Sequence, residues 1–543
     1  MTQFKTRLTE PLKRHFEAEG TWRNQTFYQH LEGMAKDRPN KPVLIEQSRQ
    51  ITYAELKHKV DCCAAWFKSL GIGAGDVVTI QFPNRYEFAV VFFSLELVGA
   101  VANTISPDFR RREVEYIIRF SGSKAYVCAD SFKGFDYVDM IQSMRDELDC
   151  LELVIVSGGS SRVGCLSLSD GLAGAQPISV SDRVHMDPNA VMRMAFTSGT
   201  TGDPKGVMHS FNTTLYAAEL VNTEMGVTDK EIFLIWLPLG LNWGYLTIVQ
   251  TVMSGSTSVL MERFNPEEAL KWIERYRVSF IPTAPASLVS IMNVPNFKRY
   301  DCSSLRVVVT GGASAAIETI QDYQKSMSGH LLELYGMLET GFHAFTRFTD
   351  DPEKVNGTIG RVVGKMGLRI IDEDGKDVAH GEVGEIAAYG ASVHLGYYNN
   401  SQANTELFTA DDWFRSGDLA RYVDSDGNVM IVGRRKEIIN RGGKKFFPRE
   451  VEEILYTHPA IVHPAMVGVA DKRLGEKNCL AVVLKPGASL TLDDAVAYLK
   501  GQVADYKLPE ILQIVDDLPF TPTGKIRRHV LVDQMLERFG VRP

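Results

Sequence analysis

The sequence predicts an α/β protein. It would have a large N-terminal domain of parallel-rich sheets flanked by helices, with a small barrel-like or antiparallel part, and then a small α+β C-terminal domain. Three observations carry this. From residue 26 short apolar runs alternate with helix-length stretches, the pattern of parallel strands joined by crossover helices. At 543 residues the chain exceeds what one core supports. Between 357 and 433 short strands and turns dominate, and Gly433-Arg434-Arg435-Lys436-Glu437 then breaks the chain. The large domain accordingly spans 1–433 and the small one 438–543.

The elements follow in order. Thr52 with Glu55 makes a capping box for an amphipathic helix ending near Leu70. Gly71 to Gly75 form a turn rather than a dinucleotide loop, because Asp76 stands where the third glycine belongs. Strands are expected at Val77–Gln81, Ala125–Cys128, Leu153–Val156, Phe233–Leu237, Ser258–Leu260, Phe280–Ile281 and Arg306–Val309. Residues 157–189, rich in Gly and Ser, read as a long surface excursion. Val191–Phe196 reads as a short strand and Val207–Leu220 as the start of a helix. In the small domain Pro448 opens a helix to Tyr456, and Thr491 caps another. Strands lie near 465–469, 480–484 and 511–515.

Bulk properties exclude several classes. A net charge of -8 argues against a nucleic-acid binder. Cys62, Cys63, Cys128, Cys150, Cys165, Cys302 and Cys479 show neither paired nor zinc spacing and read as reduced thiols. Phe88–Ile105 contains Glu96 and Asn103, so a buried helix running into a strand fits it better than a membrane span. The N-terminus has no apolar signal core. A cytoplasmic protein without a transmembrane segment, monomeric or homodimeric, is expected.

The densest chemical signal is Thr197-Ser198-Gly199-Thr200-Thr201-Gly202-Asp203-Pro204-Lys205-Gly206. Its glycines let backbone N–H groups approach an anion, and its four hydroxyls and lysine donate to phosphate oxygens. It lacks the Gly-Lys-Ser/Thr ending of the common nucleotide loop. A polar surface turn would need far less. Four weaker stretches follow. Gly311-Gly312-Ala313 is equally a tight strand-to-helix turn; with Ser314 it nearly matches a hydrolase elbow, but Ala316 replaces the final glycine. Tyr335-Gly336-Met337-Leu338-Glu339 offers a ring and a carboxylate. Asp418, after Gly417, suits two ribose hydroxyls or a turn cap. Lys525 sits on a Pro/Gly loop, where a solvated lysine would be ordinary.

In their joint order these motifs resemble the adenylate-forming superfamily of acyl-CoA synthetases, luciferases and peptide-synthetase adenylation domains, from about 26 to 530. Gly442-Gly443 and the overall length look most like CoA ligases of short- or medium-chain, or alicyclic, acids. The resemblance implies ATP, Mg²⁺ and CoA as cofactors and a small carboxylic acid as substrate. Thr197, Ser198, Gly199, Thr200, Thr201, Gly202 and Lys205 would hold the β- and γ-phosphates, and Glu339 with Thr197 would bind Mg²⁺. Gly312, Ala313 and Gly336 would border the nucleotide, with Tyr335 stacking on adenine. Asp418 would take the ribose with Arg434 nearby, and Lys525 would bridge the α-phosphate and the carboxylate. Residues 434–437 would be a hinge centred on Lys436, the small domain mobile about it. Gly442, Gly443 and Lys444 would then meet CoA. Leu241, Trp243, Gly311 and Leu338 would line the acyl pocket.

Two positions depart from the family pattern. Leu241 stands where many relatives carry histidine, and Leu338 where most carry threonine. Losing a hydroxyl beside the α-phosphate would cost about 1–3 kcal/mol if it made a charge-assisted bond. The departures imply reduced or specialised activity and an apolar slot for uncharged aliphatic or ring acids. Rival readings are an adenylating enzyme that loads a carrier-protein pantetheine, a weakly active nucleotide-binding relative, and an esterase built on Ser314.

Overall fold

The computed structural model describes residues 4–47, 49–158, 162–197, 204–312, 317–351, 355, 357–471, 473–521 and 525–539. Two large sheets form the bulk of the N-terminal body. The first has seven strands, in the order Gly206–His209, Arg193–Phe196, Val101–Thr104, Val77–Gln81, Ala125–Ala129, Leu153–Ser157 and Leu166–Ser167. All neighbours run parallel except Gly206–His209, which pairs antiparallel with Arg193–Phe196. The second has nine strands. Its centre, from Thr257–Leu260 through Ile232–Ile235, Phe280–Thr283 and Val307–Gly311 to His330–Met337, is parallel. Antiparallel hairpins close both edges.

Helices buried on nearly every side join the sheets. In Tyr86–Val98 every residue but Glu87 is buried, and Phe211–Glu224 and Asn242–Ser254 are nearly as enclosed. Tyr86–Val98 is apolar nearly all round, the signature of a helix inside a core rather than on it, while the other two also bury polar side chains such as Thr213 and Thr251. Gly99 and Gly255 end two of these helices at φ 77° and 71°, values a side chain resists. The stretch Phe88–Ile105 is thus a buried helix followed by the strand Val101–Thr104, as its length implies.

One expectation needs correction. Val207 does not start a helix: Gly206–His209 is a strand, and the helix begins at Phe211 with Ser210 as its cap. Val207-Met208-His209 suits either state, and pairing with Arg193–Phe196 decides it. The described residues of the surface excursion at 157–189 carry the short strand Leu166–Ser167 and the helix Leu168–Gly174.

Of the two forms expected for 357–433, the structure has the antiparallel one: four strands, Gly367–Ile371, Gly384–Tyr389, Phe414–Tyr422 and Val429–Arg434. A single 3-10 turn, Arg435–Glu437, leads from it into the small body. There Gly475–Leu484 is the central strand, flanked by Ile461–Asp471 and Ile511–Ile514. Alternation gives this sheet two cores: Met466, Leu480 and Val482 face one, and Ala465, Val467 and Cys479 the other. No helix among the described residues is long and apolar enough to cross a membrane.

Candidate active site

Thr197 and Lys205 face each other where the antiparallel strands Arg193–Phe196 and Gly206–His209 end. Thr197 N–H donates to Lys205 O at 3.1 Å, and Lys205 N–H to Thr197 Oγ1 at 3.3 Å. Those paired bonds close the loop at its base. Ser198, Gly199, Thr200, Thr201 and Gly202 lie outside the described residues, as does Ala313. Segment 395–398 runs beside the hairpin: Leu395 N–H donates to Met208 O at 2.8 Å, and Tyr398 N–H to Gly206 O at 2.7 Å. This brings Tyr397 next to the loop, with Lys205 Nζ 5.4 Å from its ring centroid.

Glu339 is 7% exposed and held twice. Tyr397 Oη donates to its Oε1 at 3.1 Å, and His394 N–H to its carbonyl at 2.8 Å. Burial pushes its carboxyl above the usual carboxylate range. A divalent cation would offset that penalty, and a carboxylate and a threonine hydroxyl are the kind of hard oxygen donors Mg²⁺ takes. The residues therefore fit the metal.

Asp418 is 5% exposed and gripped from two sides. Tyr335 Oη donates to Oδ2 at 2.8 Å, and Arg434 Nε to Oδ1 at 2.9 Å. Asp418 and Arg434 are cross-strand partners, so register alone sets that pair. Gly417, at φ 79°, turns the strand just before the aspartate. The carboxylate drives the Tyr335 hydroxyl well above its ordinary range, with burial the larger cause. The ring itself is 7% exposed, packed with Ile359, Ile370 and Ile386. Gly336 admits no side chain: a Cβ there would lie 2.2 Å from Gly341 O.

Lys525, on the small body, lies within electrostatic reach of these groups. It is half-buried, on a loop closed by Thr521 N–H to Lys525 O at 2.6 Å and Lys525 N–H to Thr521 Oγ1 at 2.9 Å. Burial and the Arg434 charge push its amine down to about 8, against the pull of Asp418, Glu339 and Glu437. Glu437, just past Lys436, is bound by Arg528 Nε at 3.0 Å. Arg528 also grips both oxygens of Glu452, at 2.6 and 2.9 Å. Lys436 is exposed. Gly442 and Gly443, at φ 60° and 82°, form an exposed hairpin tip, and Lys444 Nζ lies 5.1 Å from the Tyr506 ring.

The four residues expected to line an acyl pocket lie on or beside segments that touch one another. A Cβ on Gly311 would meet Leu334 O at 2.6 Å and the Trp243 ring at 3.0 Å, so glycine there lets the indole lie on the strand. Asn242 Nδ2 donates to Met337 O at 3.2 Å. Neutral His209 donates from Nε2 to Leu338 O at 2.7 Å; burial and Arg193 hold its imidazole down to about 3. Leu241 caps the helix Asn242–Ser254 without a side-chain bond. Tyr397, His394, Arg193 and His209 escaped the sequence reading. Each is a lone polar residue whose partner lies elsewhere in the chain.

Comparison with known proteins agrees with this geometry. A profile of AMP-binding enzymes matches residues 31–398, and one of the AMP-binding enzyme C-terminal domain matches 450–525. The chain is 30% identical over 528 residues to a medium-chain fatty-acid–CoA ligase of Escherichia coli (strain K12), covering 96% of this chain and 93% of that one. It is 31% identical over 536 residues to a vibriobactin-specific 2,3-dihydroxybenzoate-AMP ligase of Vibrio cholerae, covering 98% of each. Its fold is that of an anthranilate CoA ligase complexed with anthranoyl-AMP, with a TM-score of 0.87 at 24% identity over 95% of this chain and 98% of that one. The chain belongs to the AMP-binding enzymes, the adenylate-forming superfamily, and is acyl-CoA synthetase-like.

Proposed function

We propose that the protein activates a carboxylic acid with ATP and passes the acyl group to CoA. A carboxylate oxygen attacks the α-phosphorus, the bond to the β-phosphate oxygen breaks, and pyrophosphate leaves. The CoA sulfur then attacks the acyl carbon and AMP leaves. The first step joins two anions, so catalysis is mainly charge neutralisation in a sheltered site. The observation that carries this reading is the meeting of Lys525, from the small body, with Glu339, Asp418 and Arg434 of the large one.

In this reading the hairpin tip from Thr197 to Lys205 cradles the β- and γ-phosphates. Glu339 and Thr197 hold Mg²⁺, which would neutralise phosphate charge there. Tyr335 borders the adenine and keeps Asp418 aimed at the ribose hydroxyls, with Arg434. Lys525 bridges the α-phosphate and the carboxylate. Domains 1–433 and 438–543 then turn about 434–437, withdrawing Lys525 and bringing Gly442, Gly443 and Lys444 toward the pantetheine arm. Arg434 is tied to Asp418, Arg435 to Glu385 and Glu437 to Arg528, so ion pairs stand on both sides of Lys436.

Leu241, Trp243, Gly311 and Leu338 favour an apolar acyl body, medium-chain or alicyclic; equal rates on succinate and octanoate would count against this. The likeness to a 2,3-dihydroxybenzoate-AMP ligase supports a second reading, transfer to a carrier-protein pantetheine. Acid-dependent pyrophosphate exchange, with and without CoA, separates the two. A CoA ligase exchanges and consumes free CoA, whereas a carrier-loading enzyme exchanges and leaves CoA unacylated. Failure to exchange with any acid would overturn both.

A further inference from the structure

We propose that segment 4–8 positions the ATP site from behind: by bracing residues 395–398 it sets how the Glu339 carboxylate and the base of the phosphate loop face the nucleotide. Phe4 and Arg7 are its positioning residues. This rests on the reading above that the chain binds MgATP and activates an acid.

Residues 395–398 are the common support of two groups of that site. Along one edge they pair with the strand Gly206–His209: Leu395 N–H donates to Met208 O, Met208 N–H to Gly396 O at 3.1 Å, and Tyr398 N–H to Gly206 O. That strand follows directly on Lys205. From within the segment Tyr397 Oη donates to Glu339 Oε1, and just before it His394 N–H holds the Glu339 carbonyl. A shift of residues 395–398 therefore displaces the carboxylate and the loop base together.

Segment 4–8 covers the opposite edge. Arg7 N–H donates to Leu395 O at 2.9 Å, and the Phe4 ring centroid lies 5.5 Å from that of Tyr398. Residue 7 against 395 and residue 4 against 398 is an antiparallel register. Between those two points Asn404 holds the Tyr397 backbone, at 2.7 and 2.9 Å, so the brace secures the ends and Asn404 the middle. An arginine on an outer segment ordinarily keeps its head group in water. The Arg7 side chain is instead 15% exposed. Its guanidinium lies 4.2 Å from the Phe408 ring centroid, with Nη1 4.0 Å from Asp412 Oδ1. Phe408 in turn packs on the His394 ring at 5.3 Å. The cation fastens the segment to the residue that holds Glu339.

Bracing and nucleotide binding are then linked. Undocking segment 4–8 weakens MgATP, and MgATP favours the docked segment by the same factor. No contact between segment and nucleotide is needed. The acid is placed by the reading above against Trp243 and Gly311, on other segments, so its affinity is not part of this linkage.

The test compares two double variants of the whole enzyme in acid-dependent pyrophosphate exchange. Phe4→Ala with Arg7→Ala should raise the KM for MgATP about tenfold, while kcat and the acid KM change less than about threefold. Phe4→Tyr with Arg7→Lys keeps the ring and the cation, and should stay within about threefold of the unaltered enzyme. A second measurement needs no variant. Trypsin cleavage of the unaltered chain after Lys5 and Arg7, followed by mass, should slow about tenfold when MgATP alone is added, because cutting requires the undocked segment. The proposal is overturned by an unmoved MgATP KM in the alanine pair, by a uniform loss across kcat and both KM values, or by cleavage indifferent to MgATP. Should the alanine pair fail to fold, cleavage decides. No exchange by the unaltered chain with any acid removes the adenylation reading instead, and cleavage slowed by MgATP would still support the brace.

Discussion

The large and small bodies hold their site charges in different ways. In the large body Asp418 is bound by both Tyr335 and Arg434, and Glu339 by Tyr397 and the His394 backbone. These braces cross from one strand or segment to another, so neither carboxylate can turn without disturbing a second element. Lys525 is different. Its loop is closed on itself through Thr521, and its contact with the other charges is electrostatic. The groups proposed to meet a ligand are cross-braced, while the lysine proposed to come and go is closed on its own loop. That division suits a site whose two half-reactions need the same cation first present and then withdrawn.

The contrast can be broken at its strongest point first. Glu339→Gln keeps the Tyr397 contact but removes the charge; pyrophosphate exchange should fall about 100-fold or more, with a raised KM for MgATP. Unchanged exchange would make Glu339 only an anchor for Tyr397. A pH series probes the other side. In the proposed role Lys525 works as the ammonium, and its amine is held down to about 8. Adenylation kcat/KM should therefore be intact below that value and drop about tenfold per pH unit above it. The thioester step from supplied acyl-AMP should not share that fall.

Smaller effects sharpen the picture. Tyr397→Phe removes one bond to a buried carboxylate and should cost about tenfold in exchange, near 1.4 kcal/mol. The acid KM should move less than the MgATP KM. Glu437→Gln weakens the Arg528 grip on the small-lobe side of the hinge. An ion pair of this partly buried kind is worth about 1 kcal/mol, so the ratio of the two half-reaction rates should shift about fivefold or less. No shift would place the pivot elsewhere.

How much of this was legible in the sequence differs between the same regions. The hairpin loop, Glu339, Asp418 and Lys525 stand out because glycines and charges cluster where an apolar strand ends. The braces do not stand out. Tyr397 lies 58 positions from Glu339, and Tyr335 lies 83 from Asp418, so only the folded sheets bring them together. Arg193 is hidden for another reason: a single arginine in Val191–Phe196 reads as a break in a strand, whereas in the fold it is a fully buried strand residue. The strand at Gly206–His209 was lost because pairing, not propensity, decides so short a segment.

The most direct test of convergence between the two lobes is to separate the half-reactions in Lys525→Ala. Acyl-AMP formation from acid and MgATP should fall about 100- to 1,000-fold, while thioester formation from supplied acyl-AMP and CoA stays within about threefold of the unaltered enzyme. Acyl-AMP appearing at the unaltered rate would contradict the account.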